Sequence, residues 1–202
     1  MNGPFGIVFD TSGNLFIADT NNNRVREVST SDTISTVAGN GTAGFAGDGK
    51  SATDSSTELN SPSGVTFDSK GNLYIADSDN YEVRKVAGGT ISTVAGENSL
   101  GAGFAGDLGP ATSARLWNPS GVAVDSAGNI YIADPANNVV RIVCATQTRR
   151  ALWRASYSVM KKEPSPAPRP AGLGVSSKPK TGLCCSMRSE RCRWARKPSY
   201  CA

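Results

Sequence analysis

Pro119-Ser-Gly-Val-Ala-Val-Asp125-Ser-Ala-Gly-Asn129-Ile-Tyr-Ile-Ala-Asp134 is the stretch on which the fold turns, because it occurs three times. Pro4-Phe-Gly-Ile-Val-Phe-Asp10 and Pro62-Ser-Gly-Val-Thr-Phe-Asp68 match its first half, and Leu15-Phe-Ile-Ala-Asp19 and Leu73-Tyr-Ile-Ala-Asp77 match its second. A third run follows in every copy: Val25-Arg-Glu-Val28, Val83-Arg-Lys-Val86 and Val140-Arg-Ile-Val143. Two copies add Ile34-Ser-Thr-Val-Ala-Gly39 and Ile91-Ser-Thr-Val-Ala-Gly96. The equivalent glycines Gly6, Gly64 and Gly121 set periods of 58 and 57 residues. Each unit is therefore four short β-branched runs separated by Gly, Asn, Asp and Ser clusters, the signature of strands and turns. The Asp-x-x-Gly-Asn connectors (Asp10 to Asn14, Asp68 to Asn72, Asp125 to Asn129) are hairpin signals, with Gly free to take positive φ. Four hairpin-linked strands at fixed spacing predict an all-β chain of β-propeller blades. No amphipathic helical run separates the strands, which argues against a parallel α/β sheet.

Outside the repeat the chain changes character. Residues 1–143 hold 8 basic and 15 acidic residues, whereas residues 144–202 hold 13 basic and 2 acidic. The overall +4 thus joins an acidic array of −7 to a basic end of +11. All five cysteines (Cys144, Cys184, Cys185, Cys192, Cys201) lie in that end. With no histidine, Ser-His-Asp or Cys-His catalysis and His-ligated metals are excluded within one chain. The apolar runs are too short for a membrane span, and the first residues show no signal-peptide pattern.

The run 119–134, together with Asn22-Asn-Arg-Val-Arg26, resembles the NHL repeat. The trailing Ile-Ser-Thr-Val-Ala-Gly and Gly-Phe-Ala-Gly-Asp segments are similar to the long-loop NHL blades of bacterial surface proteins and of the teneurin propeller. The resemblance covers residues 1–143. It implies blades of a six-bladed ring that binds protein, carbohydrate or RNA, and an extracellular or cell-surface setting. The family-like Arg24 is replaced by Glu82 and Val139 in the later copies, so no role is carried over from it.

The expected organisation is blades at 1–58 and 59–115, a truncated blade at 116–143, and a basic tail at 144–202. Two complete four-stranded blades plus three strands of a third are too few to close a ring. The expectation is therefore a partial propeller drawn from a longer protein, prone to self-association through its open strand edges.

Several residues invite functional readings. Gly44-Phe-Ala-Gly-Asp-Gly-Lys50-Ser51 satisfies the phosphate-loop pattern, but no helix pattern follows it. Its counterpart Gly103-Phe-Ala-Gly-Asp107-Leu-Gly-Pro110 lacks the Lys and Ser, so no nucleotide is expected. Asp10, Asp68, Asp125, Asp19, Asp77 and Asp134 form a repeated set. A channel-mouth Ca²⁺ site is the sharp reading, and turn formation the expected one. Arg26, Arg84 and Arg141 recur on the third strand. Pairing with aspartate is expected there, since an acidic array opposes phosphate binding. Phe45 and Phe104 are read as anchors plugging the gap between blades. Asn40-Gly-Thr42 is a glycosylation sequon that matters only in a secreted chain.

For the tail, three readings stand. It is a disordered basic segment that binds nucleic acid or acidic surfaces, a basic amphipathic helix over Arg149–Lys162 anchored by Trp153 and Met160, or an out-of-frame translation. Its cysteine spacing fits neither a zinc site nor a deducible disulfide set. No catalytic, cofactor-binding or metal-binding residue is assigned, and no cofactor. The function expected is a non-enzymatic scaffold or recognition module, binding protein or glycan through its loop faces. The alternative is part of a propeller lactonase or lyase whose metal ligands lie in other blades.

Overall fold

The computed structural model describes residues 1–145 and the backbone of Trp153–Ser156. Three four-stranded antiparallel sheets follow one another along the chain. The first contains β1 (Pro4–Phe9), β2 (Leu15–Asp19), β3 (Arg24–Val28) and β4 (Ile34–Ala38). The second contains β5 (Pro62–Phe67), β6 (Leu73–Asp77), β7 (Glu82–Ala87) and β8 (Thr90–Ala95). The third contains β9 (Gly121–Val124), β10 (Ile130–Asp134), β11 (Val139–Val143) and β12 (Trp153–Ser156). Each sheet is an up-and-down meander in sequence order, as propeller blades are.

β12 corrects the sequence reading. Three strands were expected for the last blade and an irregular tail after it, yet Trp153–Ser156 pairs antiparallel with β11, Val143 opposite Trp153. The physical reason is the outer edge of β11, whose unpaired N–H and C=O groups accept any extended partner. Of the three readings of the tail, the amphipathic helix over residues 149–162 is not what Trp153–Ser156 adopts. Met160, Cys184, Cys185, Cys192 and Cys201 lie outside the described residues, as do the other tail readings.

Blade packing explains why the second strands read as unbroken apolar runs. In β6 every residue is buried, because the second sheet has a neighbour on both faces. β10 alternates instead, with Ile130, Ile132 and Asp134 buried and Tyr131 and Ala133 half-buried, because among the described residues only one of its faces is packed against another sheet. Between the first two sheets, Phe16, Ala18 and Val25 pack against Val65, Ile75 and Ile91, and Phe16 meets Phe67 edge to face at 4.8 Å. Between the second and third, Tyr74 and Val83 pack against Ile130, Ile132 and Val143, with Leu116 joining from the connecting loop.

The innermost strands meet backbone to backbone at the repeated glycine. A Cβ on Gly64 would lie 2.8 Å from the Ser120 carbonyl oxygen and 2.9 Å from Gly121 Cα. One on Gly6 would lie 2.3 Å from the Ser63 oxygen. Hydroxyls reinforce this inner seam: Thr20 donates to the Pro62 carbonyl at 2.8 Å, and Ser78 donates to the Pro119 carbonyl at 2.7 Å.

Candidate functional site

The hairpin aspartates are turn formers. Asp68 Oδ1 accepts the N–H groups of Lys70 and Asn72, each at 2.9 Å, while Oδ2 accepts Asn72 Nδ2 at 2.7 Å and the Tyr74 hydroxyl at 3.2 Å. Asp10 and Asp125 repeat the pattern with Ser12 and Asn14, and with Ala127, Asn129 and Tyr131. Burial works against the Asp68 charge, but these donors outweigh it and hold the carboxyl below its ordinary value. The Tyr74 hydroxyl is pushed up to about 12 by burial and by the Asp68 carboxylate.

The second aspartate of each repeat organises a different site. In β6, Asp77 Oδ1 accepts the Asn60 N–H at 2.7 Å, and Oδ2 accepts Asn80 Nδ2 at 2.8 Å. Arg84 Nη1 stands 3.4 Å from Oδ2, with both side chains fully buried. Burial pushes the Asp77 carboxyl up to about 6 in spite of those donors. The tight turn Ser78–Asn80 places the asparagine three residues after the aspartate. β7 then returns Arg84 opposite Ile75, on the same sheet face as Asp77.

A loop from the preceding repeat closes onto this group. Asn80 Nδ2 donates to the Gly44 carbonyl at 2.7 Å, and Arg84 Nη2 donates to Asp48 Oδ1 at 2.6 Å. Asp48 Oδ2 accepts the Thr93 N–H at 3.1 Å, and the Phe45 ring covers the guanidinium at 4.9 Å. The phosphate-loop-like segment 44–51 is thus an inter-blade clamp. Its Asp48 is spent on Arg84, and Lys50 donates to the Ser56 hydroxyl at 2.7 Å.

The third blade repeats the device. Asn137 donates to Asp134 and to the Gly103 carbonyl, each at 2.8 Å, and Arg141 pairs with Asp107 and donates to the Ala105 carbonyl at 3.0 Å. Phe104 lies over Arg141 at 4.9 Å. Phe45 and Phe104 were expected to plug the gap between blades. They are exposed instead, because their ring faces cap a buried cation. Arginine–aspartate pairing, by contrast, holds for Arg84 and Arg141, the partner carboxylate coming chiefly from the loop.

The first blade carries the equivalents of the receiving half of the clamp, and among the described residues no Gly-Phe-Ala-Gly-Asp loop is paired with its Arg26. Asn22 Nδ2 turns both ways onto Asp19, at 3.0 and 2.9 Å, and Asp19 accepts the Asn2 N–H at 2.7 Å. Burial opposes the Asp19 charge, but Asn22, Asn2, the chain amine and Arg26 keep the carboxyl below its ordinary value. Arg26 Nε donates to the Ser35 carbonyl at 3.1 Å.

Sequence reasoning missed Asn22, Asn80 and Asn137 as clamp residues. It also missed the coupling between loop and arginine. The offset from Asp48 to Arg84 is 36 residues and from Asp107 to Arg141 is 34, a near-constant spacing that is legible in principle. Elsewhere the copies diverge: Glu82 is buried, accepts from Thr93 Oγ1 and Asn98 N at 2.8 Å each, and is pushed up to about 7 by burial. Asn40 of the sequon is engaged as well, donating to the Ser55 carbonyl at 2.8 Å and accepting the Thr42 N–H at 2.7 Å. Among the described residues, no three Cys, Asp or Glu side chains gather as metal ligands. None of the described helices is long and apolar enough to cross a membrane.

Comparison with known proteins agrees with this architecture. The teneurin NHL domain family matches residues 1–87, and the NHL repeat family matches residues 116–144. Chicken (Gallus gallus) Teneurin-1 is 33% identical over 147 residues, covering 64% of this chain and 5% of that protein. The Arabidopsis thaliana chloroplastic protein SUPPRESSOR OF QUENCHING 1 is 32% identical over 87 residues, covering 42% of this chain and 8% of that protein. The chain thus spans under a tenth of the curated relatives it matches. Among solved structures, an auxiliary nutrient binding protein from Bacteroides ovatus superposes with a TM-score of 0.55 at 21% identity. That likeness covers 67% of this chain and 36% of the other, and concerns the fold alone. The chain carries an NHL-repeat segment, folded as consecutive β-propeller blades.

Proposed function

We propose that this segment is a non-enzymatic scaffold and recognition module that binds protein or glycan at the loop-bearing ends of its blades. The observation that carries this reading is a groove of about 530 Å³ between the hairpin turns of the first two blades. Phe9, Phe16 and Phe67 line it with aromatic surface, and Asp10, Asp68 and Lys70 add polar groups. Aromatic walls with a few placed polar groups suit sugar rings and peptide side chains. The repeated carboxylates meanwhile serve architecture: Asp10, Asp68 and Asp125 hold turns, and Asp77 and Asp134 hold clamps.

The test is capture of peptides and glycans on arrays by the full chain. A ligand lost on Lys70→Glu and Phe9→Ser supports the groove, and a ligand indifferent to both refutes it. Stoichiometric metal in the purified chain, found by elemental analysis, would favour the lyase-type alternative instead. An extracellular or cell-surface setting belongs to the same reading, and labelling of intact cells with an impermeant reagent checks it.

A further inference from the structure

A tyrosine of the second strand completes the hairpin aspartate in two blades, and the first blade lacks it. Tyr74 donates its hydroxyl to Asp68 Oδ2 at 3.2 Å, and Tyr131 donates to Asp125 Oδ2 at 3.2 Å. Each of those oxygens also accepts an asparagine amide, from Asn72 at 2.7 Å and from Asn129 at 2.8 Å. The residue equivalent to both tyrosines is Phe16. Asp10 Oδ2 therefore accepts Asn14 Nδ2 at 2.8 Å and no hydroxyl from its own blade. Partial burial works against the Asp10 charge, but the donors of Asn14 and Ser12 hold the carboxyl below its ordinary value. Its remaining lone pairs thus belong to an ionised group that can only accept.

Asp10 lines the groove between the first two blades, along with Phe16, Phe67 and, at the exposed rim, Lys70. The next junction is closed differently. There Tyr74 satisfies Asp68, and Lys85, opposite Tyr74 in the sheet, lies over its ring at 5.3 Å. In the first blade Glu27 stands opposite Phe16 instead, and a carboxylate does not cap an aromatic face.

We propose that the groove binds a neutral pyranose, one hydroxyl of which donates to Asp10 Oδ2 in the place that a tyrosine hydroxyl takes in the next two blades. The proposal rests on the recognition reading above and deepens it to one ligand class. What the site lacks is a hydroxyl and not a ring, because Phe16 already fills the ring position in the core. A pyranose carries hydroxyls at its edge and C–H groups on its faces, and those C–H groups suit the electron-rich faces of aromatic rings. A peptide tyrosine would bring a second ring to the same place. Asp10 and Asp68 against Lys70 leave the lining net negative, which selects against anionic sugars. Lys70 serves as a donor to a ring or hydroxyl oxygen.

The experiment titrates methyl glycosides of glucose, galactose and mannose into the isotope-labelled full chain and follows amide shifts by NMR. At least one glycoside should shift residues 10–16 and 67–71, with a dissociation constant of about 1 mM, as a small, open site gives. Phe16→Tyr supplies the chain's own hydroxyl to Asp10, as Tyr74 and Tyr131 do for their aspartates. It should weaken that binding about tenfold, the scale of one charge-assisted hydrogen bond, with the melting temperature unchanged or raised. Monodeoxy derivatives of the bound glycoside make the same test without altering the protein: loss of one particular hydroxyl should weaken binding about tenfold, and loss of the others by less. Absence of shifts, shifts confined elsewhere, equal binding by Phe16→Tyr, or a deoxy series with no sensitive position would overturn the proposal. So would N-acetyltyrosine amide binding in the groove more tightly than every glycoside, because the occupant would then be a peptide. A peptide captured on the arrays and lost on Lys70→Glu would leave the groove reading standing while this one falls, so the two fail separately.

Discussion

Gly64→Ala should destabilise the protein while Gly121→Ala, the same change one repeat later, should not. Neither glycine has a positive φ, so alanine fits either backbone and the contrast isolates sterics. At Gly64 the added methyl meets the Ser120 oxygen at 2.8 Å, Gly121 Cα at 2.9 Å and Val122 N at 3.2 Å, all backbone atoms. Carbon–oxygen contacts settle near 3.3–3.6 Å, so the inner strands must part by about 0.5 Å. Overpacking of this kind costs about 1–3 kcal/mol, and replacing glycine by alanine returns about 0.5–1 kcal/mol of chain entropy. The net loss is about 1–2 kcal/mol. At Gly121 the nearest neighbour is the Ala133 methyl at 3.5 Å, an ordinary contact, so only the entropic gain remains. The two variants should differ by about 2 kcal/mol, or about 4–8 °C in melting temperature for a domain of this size. Thermal melts of the full chain, with urea titrations alongside, read this directly. Superimposable melts would refute the backbone-to-backbone seam, and Gly6→Ala, whose methyl meets the Ser63 oxygen at 2.3 Å, should side with Gly64→Ala.

Three further outcomes follow from the sites. Arg84→Met leaves the buried Asp77 without its cation and should cost about 3–5 kcal/mol, whereas Arg26→Met, at a half-buried arginine whose Nε donates to the Ser35 carbonyl, should cost under about 1 kcal/mol; urea denaturation separates them. Stability should rise as pH falls from 8 towards 5. Glu82 and Asp77 are pushed up to about 7 and about 6, so the stability they confer is full below their ordinary values and is lost as pH rises through the folded ones. Below about pH 4 the trend should reverse, as Asp68 and Asp125, held below their ordinary values, become protonated and release their turns. Glu82→Gln keeps both hydrogen-bond partners and should flatten the upper limb, seen in melting temperature against pH. Asp68→Ala strips acceptors from two backbone N–H groups and should lower stability by about 1–2 kcal/mol without changing the circular dichroism of the sheets.

Much of the fold was legible because each repeat states its strands and turns locally. Leu73-Tyr-Ile-Ala-Asp77 is a short apolar run between turn residues, and Asp68-Ser-Lys-Gly-Asn72 carries the donors and the glycine that the hairpin needs. β12 was not legible for the opposite reason. Its pairing is imposed by the open edge of β11, and nothing in the composition of residues 153–156 marks a strand in the way that Ile-Ser-Thr-Val-Ala does. Phe45 and Phe104 were legible as important and misread in role. A small loop with one aromatic ring looks like a hydrophobic plug until the arginine beneath it is seen.

The clamp shows why local reading stops where it does. Asp48 and Arg84 are 36 residues apart and belong to different copies, so a copy-by-copy comparison separates the two halves of one interaction. The true structural unit straddles the repeat boundary: loop from one copy, Asp–Asn–Arg from the next. Framed in that way, the described residues contain two complete units, at Asp48–Arg84 and Asp107–Arg141, and the receiving-half equivalents Asp19, Asn22 and Arg26. A buried arginine gains little net stability from its carboxylate, but it penalises heavily any neighbour that fails to provide one. The clamp therefore selects which blade follows which, and leaves to apolar contacts such as Phe16 on Phe67 the energy of holding them together.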